Sequence, residues 1–237
     1  MARLFKKSFY IFGLVVAVIV TYAFTSNMVE LPFLAEAKPA DIMIFVSAAM
    51  IAFFTIFVPI FTNSEYTDGV IRNKMIAGIS QKEIYISHLL TELSAAVIMW
   101  VCYIFGGIIG GARLNSNYII ANVVILFALF NYIATVLVVA FRLKKIVAVM
   151  IIEAFIFNMC FNSVMMGNLF LTLTKDGVQR VMSWLYNVSA LGQWFTKTGF
   201  ADEVANPGVK AQVLISFVII IVMTFIGTFR LNKRDLV

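Results

Sequence analysis

Six uninterrupted apolar runs, each close to the length of a bilayer crossing, limit this chain more than any other feature of its sequence. They cover residues 8–24, 40–61, 87–111, 118–141, 146–166 and 211–229. A helix crosses the hydrocarbon core with about 20 apolar residues. Backbone N–H and C=O groups in lipid find no water, so a spanning segment is either a helix or a strand of a closed barrel. Barrel strands alternate apolar and polar residues. These runs do not alternate, so the expected fold is all-α with six transmembrane helices. Composition agrees: 13% of the residues are charged and 62% are hydrophobic, against about 25% charged in a soluble domain.

Charge supplies a direction. Twelve of the eighteen Lys and Arg fall on one side of the runs: Arg3, Lys6, Lys7, Arg72, Lys74, Lys82, Arg142, Lys144, Lys145, Arg230, Lys233 and Arg234. The other side holds Lys38, Arg113, Lys175, Arg180, Lys197 and Lys210, balanced by six acids. Positive residues stay cytoplasmic, so both termini, the 62–86 connection and the 142–145 connection are expected inside. The long 167–210 connection is expected outside. The net charge of +6 is the excess that this rule produces. The basic residues form no stripe of the kind that binds nucleic acid. Residues 1–24 resemble a leader, but Ala35-Glu36-Ala37 lies far past the apolar core and makes a poor cleavage site.

Cys102 and Cys160 lie inside apolar runs and read as small apolar fillers. With one histidine, His88, and no His-Glu-x-x-His string, a metal or catalytic site is not expected. His88 reads as interfacial packing. Two acids stand out. Glu153 lies deep in the fifth run, where an ionisable group is a functional candidate by default. It either meets a cationic substrate or packs the spans, with Asn131, Asn158 or Asn162 as candidate partners. Glu92 lies a turn or two inside the third run and is expected to reach the cytoplasmic interface. Gly106/Gly110 and Gly107/Gly111 have the small-xxx-small spacing that allows close helix approach.

The 62–86 connection is more than a linker. Thr62 and Glu65 have capping-box spacing, which predicts a helix start. Tyr66, Val70, Ile71 and Met75 recur at helical spacing, with Asp68, Arg72 and Lys74 on the polar side. Gly78 suits a left-handed helix end. Ser80 and Glu83 form a second capping box before the third run. Pro59 is expected to kink or end the second helix ahead of this elbow. In the outer connection, Val178, Val181, Met182, Leu185, Val188 and Leu191 predict a half-inserted or interfacial helix, with Trp184, Tyr186 and Trp194 nearby. Asn187-Val188-Ser189 has the form of a glycosylation acceptor and is discounted as too short a pattern.

The string Glu65, Gly69, Ile71, Arg72, Asn73, Lys74, Gly78, Ser80, together with the ending Phe229-Arg230-Leu231-Asn232-Lys233-Arg234-Asp235-Leu236, resembles permeases of the type-2 ABC transporter family. Gln81 departs from the Arg often found there. The resemblance implies a cytoplasmic elbow that docks on an ATPase through Glu65, Tyr66, Asp68, Gly69, Arg72 and Lys74. It also implies re-entrant helices before the sixth span and export of a peptide, drug or lipid-like amphiphile across a bacterial plasma membrane. This chain has no phosphate-binding loop of the G-x-x-x-x-G-K-[ST] form. ATP and Mg are therefore expected on a separate ATPase subunit, with no cofactor on this chain. Six spans are half of a twelve-span unit, so a second permease chain, identical or paralogous, is expected. An ion-gradient-driven secondary transporter is the alternative. It predicts inverted repeats and midplane ion ligands, and no repeat is visible.

Overall fold

The computed structural model describes all residues except 1–3, 5, 6, 30, 31, 35, 144, 175, 202 and 230–237. Most of the basic C-terminal ending, along with Arg3, Lys6, Lys144 and Lys175, thus lies outside the described residues. Every regular element among the described residues is helical: α1 Ser8–Thr25, α2 Pro39–Val46, α3 Ala48–Thr67, α4 Val70–Ile76, α5 Gln81–Ile109, α6 Ser116–Arg142, α7 Ile146–Leu173, α8 Asp176–Val188, α9 Ala190–Phe195 and α10 Val209–Thr228. Six units are long and apolar enough to cross a membrane: α1, α2 with α3, α5, α6, α7 and α10.

Burial grades these six. The α2–α3 unit and α6 bury 61% of their most apolar window, α5 buries 39%, and α1, α7 and α10 bury 22%, 11% and 17%. Helix α6 is the axis of the bundle. It packs most extensively along α10 and also meets α3, α5, α7 and α9. Helix α1 lies along α5, and the glycines there explain how closely. A Cβ on Gly106 would run into the Val18 backbone, and one on Gly110 would run into Thr25. The second glycine pair divides its work. Gly107 packs against Met43, while Gly111 (φ +100°) meets nothing and ends α5 in a left-handed turn.

The second apolar run is not one helix. It is interrupted at Ser47, where side-chain donors reach Met43 O and Ile44 O in addition to the bonds that Ser47 N–H keeps to both. Tyr103 donates to Met43 O (2.7 Å), Trp194 Nε1 donates to Ile44 O (3.0 Å), and Ser47 Oγ donates to Ile44 O (2.6 Å). Pro59 does not end α3, which continues to Thr67. Thr62 starts no helix either. It sits buried inside α3, since nothing upstream interrupts the helix to make a cap. The elbow helix is α4, and it starts at Gly69. Helices α5 and α7 outrun their apolar cores, beginning at Gln81 and ending at Leu173.

Candidate functional site

The α3–α4–α5 corner is built from local backbone chemistry. Gly69 takes φ +69°, ψ 10°, a left-handed conformation that Gly adopts without steric cost, and there the chain turns from α3 into α4. Gly78 (φ +84°) ends α4. The Gly78 N–H donates to Met75 O and the Ile79 N–H to Lys74 O, both at 3.0 Å, which is the Schellman pattern. Two residues on, Ser80 N–H donates to Glu83 Oε2 (2.8 Å) and Glu83 N–H donates to Ser80 Oγ (3.3 Å). This reciprocal box starts α5. One helix thus stops and the next begins within a few residues, so the corner is short and stiff.

Glu65 locks the corner from inside. Its carboxylate is 6% exposed. It pairs with His88 Nε2 at 3.0 Å and accepts from Lys74 Nζ at 3.3 Å, so one side chain of α3 holds both α4 and α5. Aromatic rings surround the pair. Phe141 of α6 meets His88 edge-on with centroids 5.1 Å apart, and it meets Tyr85 at 5.0 Å and Tyr66 at 6.0 Å. Tyr85 lies directly against Gly227 of α10. Four spans therefore converge on the inner face of the elbow. Two weaker ties lie nearby. Lys7 pairs with the exposed Asp68 at 3.4 Å, and Arg142 donates to Ile226 O at 2.6 Å and Phe229 O at 3.2 Å.

The outer face of the elbow is unlike its inner face. Ile71 is buried, and Tyr66, Val70 and Met75 are half-buried. Arg72, Asn73 and Lys82 are exposed, and so are Ile76 (75%) and Ile79 (41%). Two exposed isoleucines thus lie among cationic and polar side chains.

The buried acids depart from the sequence expectation. Glu92 does not reach an interface; it is 0% exposed, because the α5 face that carries it turns toward the bundle. Glu153 is also 0% exposed, and neither of its oxygens has a hydrogen-bond partner. Its three expected partners are engaged elsewhere. Asn131 donates to Val188 O at 3.0 Å, and Asn162 donates to Asn158 at 2.8 Å on the exposed face of α7. His88, read as interfacial packing, is instead a 2% exposed ligand of Glu65. The signal was available in principle: Glu65 and His88 face each other across a hairpin with two helical arms.

A second polar centre escaped the sequence reading entirely. It lies at the end of the bundle away from the elbow. Gln212 of α10 donates to Asn187 Oδ1 and to Thr196 Oγ1, both at 2.7 Å. Gln193 of α9 donates to Asn187 O at 2.8 Å and accepts from Ser216 Oγ at 2.9 Å. Asn187 Nδ2 donates to Ser183 O (2.8 Å) and Ala205 O (2.7 Å); with its amide buried and bonded, it is no glycosylation acceptor. Helix α8 consequently turns inside out. Its polar Ser183 and Asn187 face inward, and Val178, Val181, Leu185 and Val188 face outward. Beyond α9, burial pushes the Lys197 ammonium down to about 8.

Among the described residues, no group of three or more His, Cys, Asp or Glu is placed to hold a metal ion. The chain matches no protein-family model, no curated protein and no solved structure.

Proposed function

We propose that this chain is the membrane-spanning permease subunit of an exporter of the type-2 ABC transporter kind. It resides in a bacterial plasma membrane with both termini cytoplasmic. It pairs with a second permease chain and is driven by a separate ABC ATPase that binds ATP and Mg. It moves a peptide, drug or lipid-like amphiphile outward. One observation carries the reading: the Glu65-to-Ser80 string that resembles the family's elbow lies on a stiff helical corner with a locked inner face and an open outer face. A partner pushing on Arg72, Ile76 and Ile79 would move α3, α5, α6 and α10 through the Glu65–His88 cluster. The 12-to-6 split of basic residues supports a cytoplasmic elbow. The wholly buried α9 and the outward apolar face of α8 support re-entrant helices at the outer end.

Co-purification in mild detergent tests this. A stoichiometric ATPase subunit is expected with the wild-type chain and lost from a double variant, Arg72→Glu with Ile76→Asp. Both positions are exposed, so the variant keeps its fold. Transport by the chain alone, driven by an ion gradient without ATP, overturns the proposal. That outcome is the secondary-transporter reading, which the two unpartnered intramembrane acids Glu92 and Glu153 favour.

A further inference from the structure

Helix α7 is the least buried of the six crossing units, at 11% of its most apolar window. It packs against α3, α6, α8 and α9. Its buried residues Val149, Glu153, Val164 and Leu171 share one side of the helix. The opposite side carries Ile151, Phe155, Asn158, Asn162, Met165 and Leu169 at steps of three or four residues, and every one of them is exposed.

An apolar stripe in a membrane asks for no partner, because lipid tails are as apolar as leucine. The two asparagines are different. They sit mid-way along α7, with roughly 17 Å of helix on each side of the pair at 1.5 Å per residue. That is the centre of a hydrocarbon core about 30 Å thick. An amide facing lipid there has lost its water and gained nothing in return. The pair satisfies only half of its own needs. Asn162 Nδ2 donates to Asn158 O and to Asn158 Oδ1, both at 2.8 Å. The Asn158 amide N–H groups and Asn162 Oδ1 have no partner among the described residues.

An unused donor and an unused acceptor one turn apart on one exposed face are self-complementary. Two copies inserted the same way up are related by a two-fold axis along the membrane normal, and such an axis sets the same patch of each against the other. The free N–H groups of one chain then meet the free oxygen of its partner. An acyl chain offers neither group. We infer that two copies of this chain associate along α7, with Asn158 and Asn162 of each forming an amide clamp at the bilayer midplane. Ile151, Phe155, Met165 and Leu169 pack to either side of the clamp. This inference rests on the two-chain permease reading, and it identifies the second chain as an identical copy and α7 as its docking face.

Two measurements on the full chain, with Cys102 and Cys160 replaced, test it. In the first, copies carrying donor or acceptor dyes at Arg180→Cys are mixed in liposomes, and energy transfer is followed as added lipid dilutes the protein. Asn158→Leu with Asn162→Leu is expected to raise the density needed for half-maximal transfer by about tenfold, the scale of a lost interhelical hydrogen bond. In the second, a single cysteine at Met165 is oxidised in native membranes and is expected to trap a covalent dimer. One at Phe12, exposed on α1, is expected to trap none. If the leucine variant fails to fold, the Met165 cross-link decides alone. Transfer that the leucines leave unchanged overturns the clamp and leaves a two-chain permease standing. So does cross-linking at Phe12 without cross-linking at Met165. A chain that stays monomeric at every density and transports alone removes both readings.

Discussion

The Glu65 carboxylate holds the elbow through two bonds of unequal depth, and that difference can be measured. His88 is 2% exposed and Lys74 is 30% exposed at their side chains. Removing one partner of a buried ionic or polar pair costs about 3–5 kcal/mol, because the other is left unpaired in a medium that cannot solvate it. His88→Ala should therefore lower stability by that order. Lys74→Ala should cost less than about 1 kcal/mol, as exposed pairs do. Thermal unfolding in nanodiscs separates the two, and equal losses would show that the pair is not the lock described here. Gly69→Ala places a Cβ in a left-handed conformation and should cost about 1–2 kcal/mol, although nothing lies within 4 Å of the added atom. The Ser80/Glu83 box was readable, but the turn at Gly69 was not: residues 62–78 have the spacing of one continuous helix, and the chain breaks it at Gly69. Thr62 and Glu65 have the same spacing, yet they make no box. A capping pattern acts only where a helix is free to begin.

At the scale of elements, α8, α9 and the start of α10 behave as one cap, held by amide side chains as well as by the apolar burial of Leu191, Trp194 and Phe195. Gln212 is its hub. Gln212→Leu removes both donors to Asn187 and Thr196, and buried groups left without partners cost about 1–3 kcal/mol each. The expected readout is faster hydrogen exchange across residues 183–216, with α3 and α5 unchanged. Uniform loss of protection would falsify the cap as a separate unit. Lys197 adds a pH dependence. Its folded value of about 8 lies below the ordinary 10.5, so between these values the unfolded chain holds the extra proton. Stability then rises with pH through that window, and the penalty is fully present below it. Lys197→Met should flatten this slope in thermal scans taken at several pH values. None of this is visible in the pattern of α8, whose spacing predicts an interfacial helix with an outward apolar face but says nothing of the amide network beneath it.

For the whole molecule, the chain threads six times and gathers the elbow, the start of α1 and the ends of α6 and α10 at one end. The Lys7–Asp68 and Arg142–Phe229 contacts tie that end together. Orientation in the membrane is open to direct labelling. With the two native cysteines replaced, a cysteine at Arg180 should react with an impermeant maleimide on intact cells. One at Asp68 should react only after permeabilisation. The reverse pattern would place the elbow outside, out of reach of the proposed ATPase.

The sequence by itself determined the all-helical class and the six stretches long and apolar enough to cross a membrane. Hydrocarbon penalises every unpaired backbone group, so twenty apolar residues leave little choice of structure. Helix ends and caps are equally local, which is why Gly78 and Ser80 are legible in the sequence. Tertiary structure alone decided that donors from α5 and α9 reach the last carbonyls of α2. It also decided the pairing of Glu65 with His88, the amide cap around Gln212 and the isolation of Glu92 and Glu153. Each of these depends on which helix faces meet. In a chain apolar on nearly every face, that is set by small residues, rings and hydrogen-bond geometry acting between segments far apart in sequence.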